Sequence, residues 1–224
     1  VMMKYHIAFV QQGNPTYAYY RERLIKNHVG FVWSGAVHEV ITPSGSIVYS
    51  GVGISHRKIH PSDPDRNLSI FEKLIQSGKT LEPRELFYYG RELYYHSMYR
   101  KAADVFRTLL DSGCGWVENN INACQLLAYC YFELGEEENG LFSLFRSFSY
   151  DSPRAEICCD IGLYFFNHGR YETAIFWYLT AAGRPKDYSS GAFIQSDCYG
   201  YIPYLQICVC YDRLGNLEQA RHYN

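Results

Sequence analysis

A small residue, then an aromatic or leucine three positions on, then a turn, then a second small residue twelve positions after the first: this pattern occurs three times along the chain and begins a fourth. Gly90, Leu93, Tyr99, Ala102 and Phe106 open the series, and Ala128, Tyr131, Gly135, Gly140 and Leu144 follow. Gly162, Phe165, Gly169, Tyr171, Ala174 and Tyr178 form the third unit. Cys208, Tyr211, Gly215, Leu217 and Ala220 start the last. The small residues let two helices approach closely, and the glycine between them ends one helix so that the next can fold back. Such a helix pair has an apolar face that it cannot bury alone, so neighbouring pairs must stack.

The step from Ala128 to Gly162 is 34 residues, the tetratricopeptide period. The predicted fold is therefore mainly α: a tetratricopeptide-like helical-repeat solenoid over residues 83–224, of about four repeats, the last one cut short. Two connections between repeats read as enlarged, one holding Asp111–Trp116 and one running from Arg184 to Gly200. Pro83 sits where a helix start tolerates the missing N–H, and residues 63–82 read as a linker with a helix over about 67–77. The chain stops within the second helix of the fourth repeat, so its C-terminus reads as truncated.

Residues 1–62 are of another kind. Tyr5–Gln11 and Thr16–Ile25 read as strands or a strand-to-helix passage around a turn at Gln12–Pro15. Val37–Thr42 and Ser46–Tyr49 flank Pro43-Ser44-Gly45 as a hairpin would, and Val52–His56 reads as a further strand. These strands are few for a self-sufficient sheet, so the segment is expected to be the end of a larger α/β domain.

Composition removes several alternatives. Charged residues are 20% of the chain and hydrophobic ones 47%, which describes a folded, globular protein. A net charge of −2 does not suit a nucleic-acid surface, which needs clustered Lys and Arg. No apolar run reaches the length of a membrane span. The 8 cysteines contain no C-x-x-C pair. Cys124 and Cys158 share one position of successive first helices, so they read as small buried hydrophobes in a reducing, cytoplasmic compartment.

Residues Phe31–Val40 contain Trp33-x-Gly35-x-x-His38-Glu39, followed by the glycine-turned hairpin and Ile54-Ser55-His56. Tyr20–Lys26 precedes this string and Asp65-Arg66-Asn67-Leu68 follows it. Together these segments resemble the end of the catalytic domain in family 2 glycosyltransferases. With the repeats, the chain resembles the bacterial members of that family that carry C-terminal tetratricopeptide repeats.

The resemblance implies a remnant of a GT-A α/β domain at residues 1–62. It also implies sugar transfer from a nucleotide-sugar donor to an acceptor, with a divalent metal, Mn or Mg, in the full-length parent and none bound by this fragment. Glu39 would be the base that takes the acceptor proton, with His38 orienting it or touching phosphate. His56 would be a metal ligand, and Trp33, Tyr20 and Arg23 would meet the acceptor. The family's Asp-x-Asp half precedes the matched region, so the fragment alone is expected to be inactive. If Val37–Thr42 is a strand, His38 and Glu39 point to opposite faces. Asp63-x-Asp65 beside Pro64 reads as helix capping rather than a metal motif.

The alternative is a non-catalytic interaction module. One face of each repeat's first helix gives a groove stripe: Arg84, Phe87, Arg91 and Tyr94, then Asn122, Gln125, Tyr129 and Phe132, then Glu156, Cys159, Leu163 and Phe166. Such a stripe could hold an extended peptide, or be filled by the chain itself or by a second copy in a homodimer.

Overall fold

The computed structural model describes residues 1–9, 15–42, 44–55, 63–186 and 194–224. They divide into two compact units, Val1–Thr80 and Leu81–Asn224.

The first unit holds a three-stranded sheet. β1 (Met2–Phe9) lies in the centre, antiparallel to β2 (Pro15–Glu22) and parallel to β3 (Tyr49–Ser55). Tyr5 pairs with Tyr19 on one side and Ile54 on the other. The expected hairpin around Pro43–Gly45 does not form between strands, and Pro43 itself lies outside the described residues. Residues 34–40 instead form a closed loop. Ser34 and Val40 exchange backbone hydrogen bonds of 2.9 and 3.0 Å, and Gly35 and His38 take positive φ of 99° and 55° between them. Two left-handed residues in five cannot continue a strand. α1 (Arg66–Gln76) follows, one residue earlier than predicted at its start. Asp65 occupies the cap position without capping the helix through its side chain, and the Asp63 carboxylate accepts from the Asp65 amide at 2.9 Å. Among the described residues of this unit only Val37, Ile41 and Phe71 are buried hydrophobics.

The second unit is an array of antiparallel helix pairs. α2 (Pro83–Tyr95) packs on α3 (Tyr99–Asp111), α4 (Val117–Glu133) on α5 (Glu137–Arg146), and α6 (Ala155–Asn167) on α7 (Tyr171–Ala182). α8 (Tyr201–Arg213) packs on α9 (Leu217–Tyr223). α2 opens on a capping box: Glu82 accepts from the backbone of Glu85, whose carboxylate accepts the Glu82 amide at 3.1 Å.

The packing explains the repeat signature. A Cβ on Gly90 would lie 2.6 Å from the Phe106 ring, and one on Gly162 would lie 2.8 Å from the Tyr178 ring. In both pairs the aromatic of the second helix fills the volume the glycine leaves. In the second repeat the same two positions are Ala128 and Leu144, both fully buried. A smaller partner there permits a methyl group, so the summed volume is held nearly constant, as a close-packed interior demands.

The four turns share one geometry. The amides of Met98, Glu136, Arg170 and Asn216 each reach back five residues to a carbonyl, at 2.8–2.9 Å. The residue before each is left-handed: Ser97, Gly135, Gly169 and Gly215. This closes each first helix as a Schellman motif. Ser97 carries the strain that glycine avoids at the other three.

One predicted connection is corrected. The 38-residue step from Gly90 to Ala128 does not lengthen the loop, which spans only residues 112–116. The four additional residues extend α4, which has 17 residues where α2, α6 and α8 have 13. The added turn is held down by burial of Asn119 and Asn120. The Asn120 side chain donates to the Cys114 carbonyl at 3.2 Å, and Glu118 pairs with Arg154 at 2.7 Å.

Candidate functional site

The first helices α2, α4 and α6, with Glu137 of α5, line a cavity of about 510 Å³. Its walls are aromatic: Tyr94, Tyr129, Phe132 and Tyr164, with Leu163. Tyr94 and Tyr129 lie 6.4 Å apart between ring centroids, and Phe132 stacks on Tyr164 at 6.3 Å. Its acidic groups are Glu133, Glu137 and Asp160, with the His168 imidazole beside them, and among the described residues no Lys or Arg lines it. Glu137 meets His168 at 3.0 Å, and His168 stacks on Tyr164 at 4.2 Å.

Asp160 is the floor. The Gln125 amide and the Tyr129 hydroxyl both donate to its Oδ2, at 2.6 and 2.7 Å. Burial raises its carboxyl from the ordinary 3.8 to about 6; the two hydrogen bonds pull the other way, and Glu156 adds repulsion. Tyr129 is raised too, by burial first and then by the carboxylate beside it.

Beyond Gln125 the stripe continues through Asn122 and Glu156, and there the chain fills it. Ile194 and Tyr199 lie against Asn122, Gln125, Ile157 and Glu156, leaving only about 30 Å³. The Gln195 amide donates to Glu156 Oε1 at 2.7 Å, and the Tyr199 hydroxyl donates to Oε2 at 3.0 Å. A short 3-10 turn, Ser196–Tyr199, then leads into α8. The stripe is therefore half self-occupied and half open.

The structure sorts the stripe residues. Tyr94, Tyr129 and Phe132 line the open cavity, and Asn122 and Gln125 line the filled part. Phe87 is fully buried, so it is core and not groove wall. Arg84 lies over the Tyr88 ring at 4.8 Å. Arg91 donates to the Tyr95 hydroxyl at 2.8 Å. Neither arginine lines the cavity. Asp160 was absent from the sequence reading; its one signal is an acid inside the apolar run Ile157–Gly162.

The glycosyl-transfer candidates all belong to the first unit. Arg21 donates to the backbone carbonyl of Glu39 at 3.0 Å. The Glu39 carboxylate is exposed and meets no hydrogen-bonding group among the described residues. His38 is left-handed in the closed loop, so the expected strand alternation between the two does not apply. Trp33 is 59% exposed. Tyr20 packs edge-on against Tyr49 at 5.0 Å, and Arg23 lies 4.1 Å over the Tyr5 ring. His56, the expected metal ligand, lies outside the described residues. Among the described residues no cluster of three His, Cys, Asp or Glu could hold a metal ion, and no helix is long and apolar enough to cross a membrane.

The cysteines are unpaired. Cys124 and Cys158 are fully buried, and burial pushes both thiols up to about 12. They are inert packing groups at neutral pH.

No protein-family model and no curated protein matches the sequence. Solved structures do. MamA from Desulfovibrio magneticus superposes with a TM-score of 0.54 at 15% identity, over 71% of this chain and 81% of that one. The C-terminal part of a TPR repeat-containing protein from Cytophaga hutchinsonii gives 0.56 at 16%, over 71% and 58%. YrrB, described as a TPR protein with an unusual peptide-binding site, gives 0.51 at 17%, over 71% and 74%. At such identities the likeness shows architecture alone: the helical array is a tetratricopeptide-like solenoid.

Proposed function

We propose that the helical array is a polypeptide-binding module. The observation that carries this reading is the self-occupied half of the stripe. There the array holds a length of its own chain through a backbone amide on Glu156, a group that any peptide could supply. The adjoining aromatic half has the same helices and no occupant among the described residues. The unusual peptide-binding site printed for YrrB supports the reading by analogy of fold.

The test is selection of random heptapeptides on the full chain. Leu163 is half exposed on the cavity wall, so Leu163→Glu should leave the fold intact. It should weaken selected peptides by about tenfold or more. An empty selection, or peptides indifferent to Leu163→Glu, removes the proposal.

A second reading concerns the first unit, which would be the acceptor-side margin of a metal-dependent GT-A glycosyltransferase. Two observations favour it. The Trp33-x-Gly35-x-x-His38-Glu39 string forms one pinned loop rather than featureless chain. The sheet leaves Val48, Tyr49 and Val52 exposed, which suits a surface covered by further elements of a larger domain. In that reading the array selects the acceptor, and the free buried thiols fit a cytoplasmic protein. The coding sequence upstream of Val1 should then encode a strand followed by Asp-x-Asp. The complete protein should transfer sugar from a nucleotide-sugar donor, and Glu39→Gln should abolish transfer while donor binding persists. A reading frame starting at Met2 or Met3, or transfer that survives Glu39→Gln, rejects it.

A further inference from the structure

We propose that the open cavity recognises a basic side chain, the lysine or arginine of an extended polypeptide, and that Asp160 is the group that reads its charge. This inference deepens the peptide-binding reading and rests on it.

The geometry of Asp160 points to a missing donor. Both hydrogen bonds that the protein supplies fall on Oδ2. Oδ1 receives none among the described residues, and Asp160 is only partly buried, so this oxygen is open to the cavity. A carboxylate oxygen that faces a cavity with no protein donor on it is free to accept from a ligand that enters. Here the unfilled oxygen belongs to a residue that lines a cavity large enough for a side chain.

The walls fit the same ligand. Tyr94, Tyr129, Phe132 and Tyr164 offer ring faces to an aliphatic stem and to the cation at its end. The balance of charge agrees. Three carboxylates line the cavity against one imidazole, and His168 is already engaged with Glu137. Glu133 makes no ion pair among the described residues and stands at the rim as a second attraction. An acidic side chain would be repelled by the three carboxylates. A neutral apolar one would fill the walls and leave Oδ1 unmet. The self-filled half beyond Gln125 blocks one end of the stripe, so the ligand is a short segment with its basic residue over Asp160.

The test uses the full chain and four labelled peptide libraries. Each has mixed Gly, Ala and Ser flanks and one fixed central residue: Lys, Arg, norleucine or Glu. Lys and Arg libraries should bind about tenfold or more tightly than norleucine, the difference expected of one charge-assisted hydrogen bond. Binding to Glu should be undetectable. Asp160→Asn keeps an oxygen for Gln125 and Tyr129 and removes the charge, so it should bring Lys and Arg down to the norleucine level. Tyr94→Ala should weaken all three without changing their ranking. Equal binding of Lys and norleucine, or an unchanged preference in Asp160→Asn, overturns this inference and leaves the peptide-binding reading standing. Failure of all four libraries to bind overturns both.

Discussion

The two units of this chain treat similar apolar residues in opposite ways. In the array, Phe106, Leu144, Ile161 and Tyr178 are essentially inaccessible to water. In the sheet unit, Val32, Trp33, Val48, Tyr49 and Val52 are each more than half exposed. The difference lies in spacing and not in hydrophobicity. In the first three helix pairs a small residue on one helix faces a ring or a leucine on the other, so two surfaces close on each other. In the sheet unit Tyr49 and Val52 on β3, and Val32, Trp33 and Val48 outside the strands, are left uncovered by the described residues. Apolar content gives the driving force for burial, and complementary shape decides where it can be used.

That contrast is broken most forcefully at Phe106. Its ring fills the space left by Gly90, so Phe106→Ala should destabilise the array by about 3–5 kcal/mol. Denaturant midpoints with an unchanged slope would measure this. A loss below about 1 kcal/mol would mean that the ring and the glycine do not share one packed volume.

A second effect is pH-dependent. The carboxyl of Asp160 sits at about 6 in the folded chain against an ordinary 3.8. The folded state therefore holds the proton more tightly. This group favours folding below about pH 4, and that contribution is lost as pH rises through about 6. Asp160→Asn removes the dependence. The variant and the parent should be similar near pH 4, and the variant more stable by about 2 kcal/mol near pH 7. Facing the group are Gln125 and Tyr129 from α4 and Glu156 from its own helix. Parallel stability curves for the two proteins between these pH values would contradict the burial argument. In the array, then, a costly buried charge sits beside an open cavity, and stability is given up where a ligand would be met.

Ser97 offers a smaller test. It takes the left-handed position that glycine takes in the other three turns. Ser97→Gly should stabilise by a few tenths to about 1 kcal/mol, read from thermal midpoints. A loss would show that the Ser97 side chain, whose hydroxyl accepts from Tyr99 at 3.3 Å, outweighs its backbone strain.

How much of this was legible follows from the same physics. The helix pairs were, because residues twelve and sixteen apart meet across a pair whose turn length is fixed. The added turn of α4 was not. Gly113 and Gly115 read as a long loop, and nothing local shows that Val117–Asn120 joins the helix behind it. The groove stripe was legible in its outer part: Tyr94, Tyr129 and Phe132 do line the cavity. It failed at Phe87 because a stripe stepped by seven drifts about 20° around a helix per step. At that level of α2 it crosses into the core, where Phe87 is fully buried. Asp160 escaped because it lies one position off the stripe, and its meaning depends on Gln125 from another helix. In the sheet unit three of the expected strands, Tyr5–Gln11, Thr16–Ile25 and Val52–His56, overlap β1, β2 and β3, while Val37–Thr42 and Ser46–Tyr49 do not pair as a hairpin. The loop of residues 34–40 was missed because a left-handed histidine leaves no trace in hydrophobic pattern.

The smallest expected effect sharpens the contrast from its other side. Val52 lies on β3 and is 58% exposed. Val52→Thr keeps the β-branch and so the strand preference, and it replaces one methyl by a hydroxyl that water can reach. If this face is open in solution, the substitution should change stability by less than about 0.5 kcal/mol. If the face is covered, by a second copy or by further elements of a larger domain, the hydroxyl would be buried without a partner and the cost would rise to about 1–3 kcal/mol. Measuring Val52→Thr at two protein concentrations separates those cases. A cost that appears only at the higher concentration assigns the face to a second copy. A cost independent of concentration assigns it to the chain itself. Near-neutrality at both leaves the sheet as it stands here, a surface whose apolar residues face water.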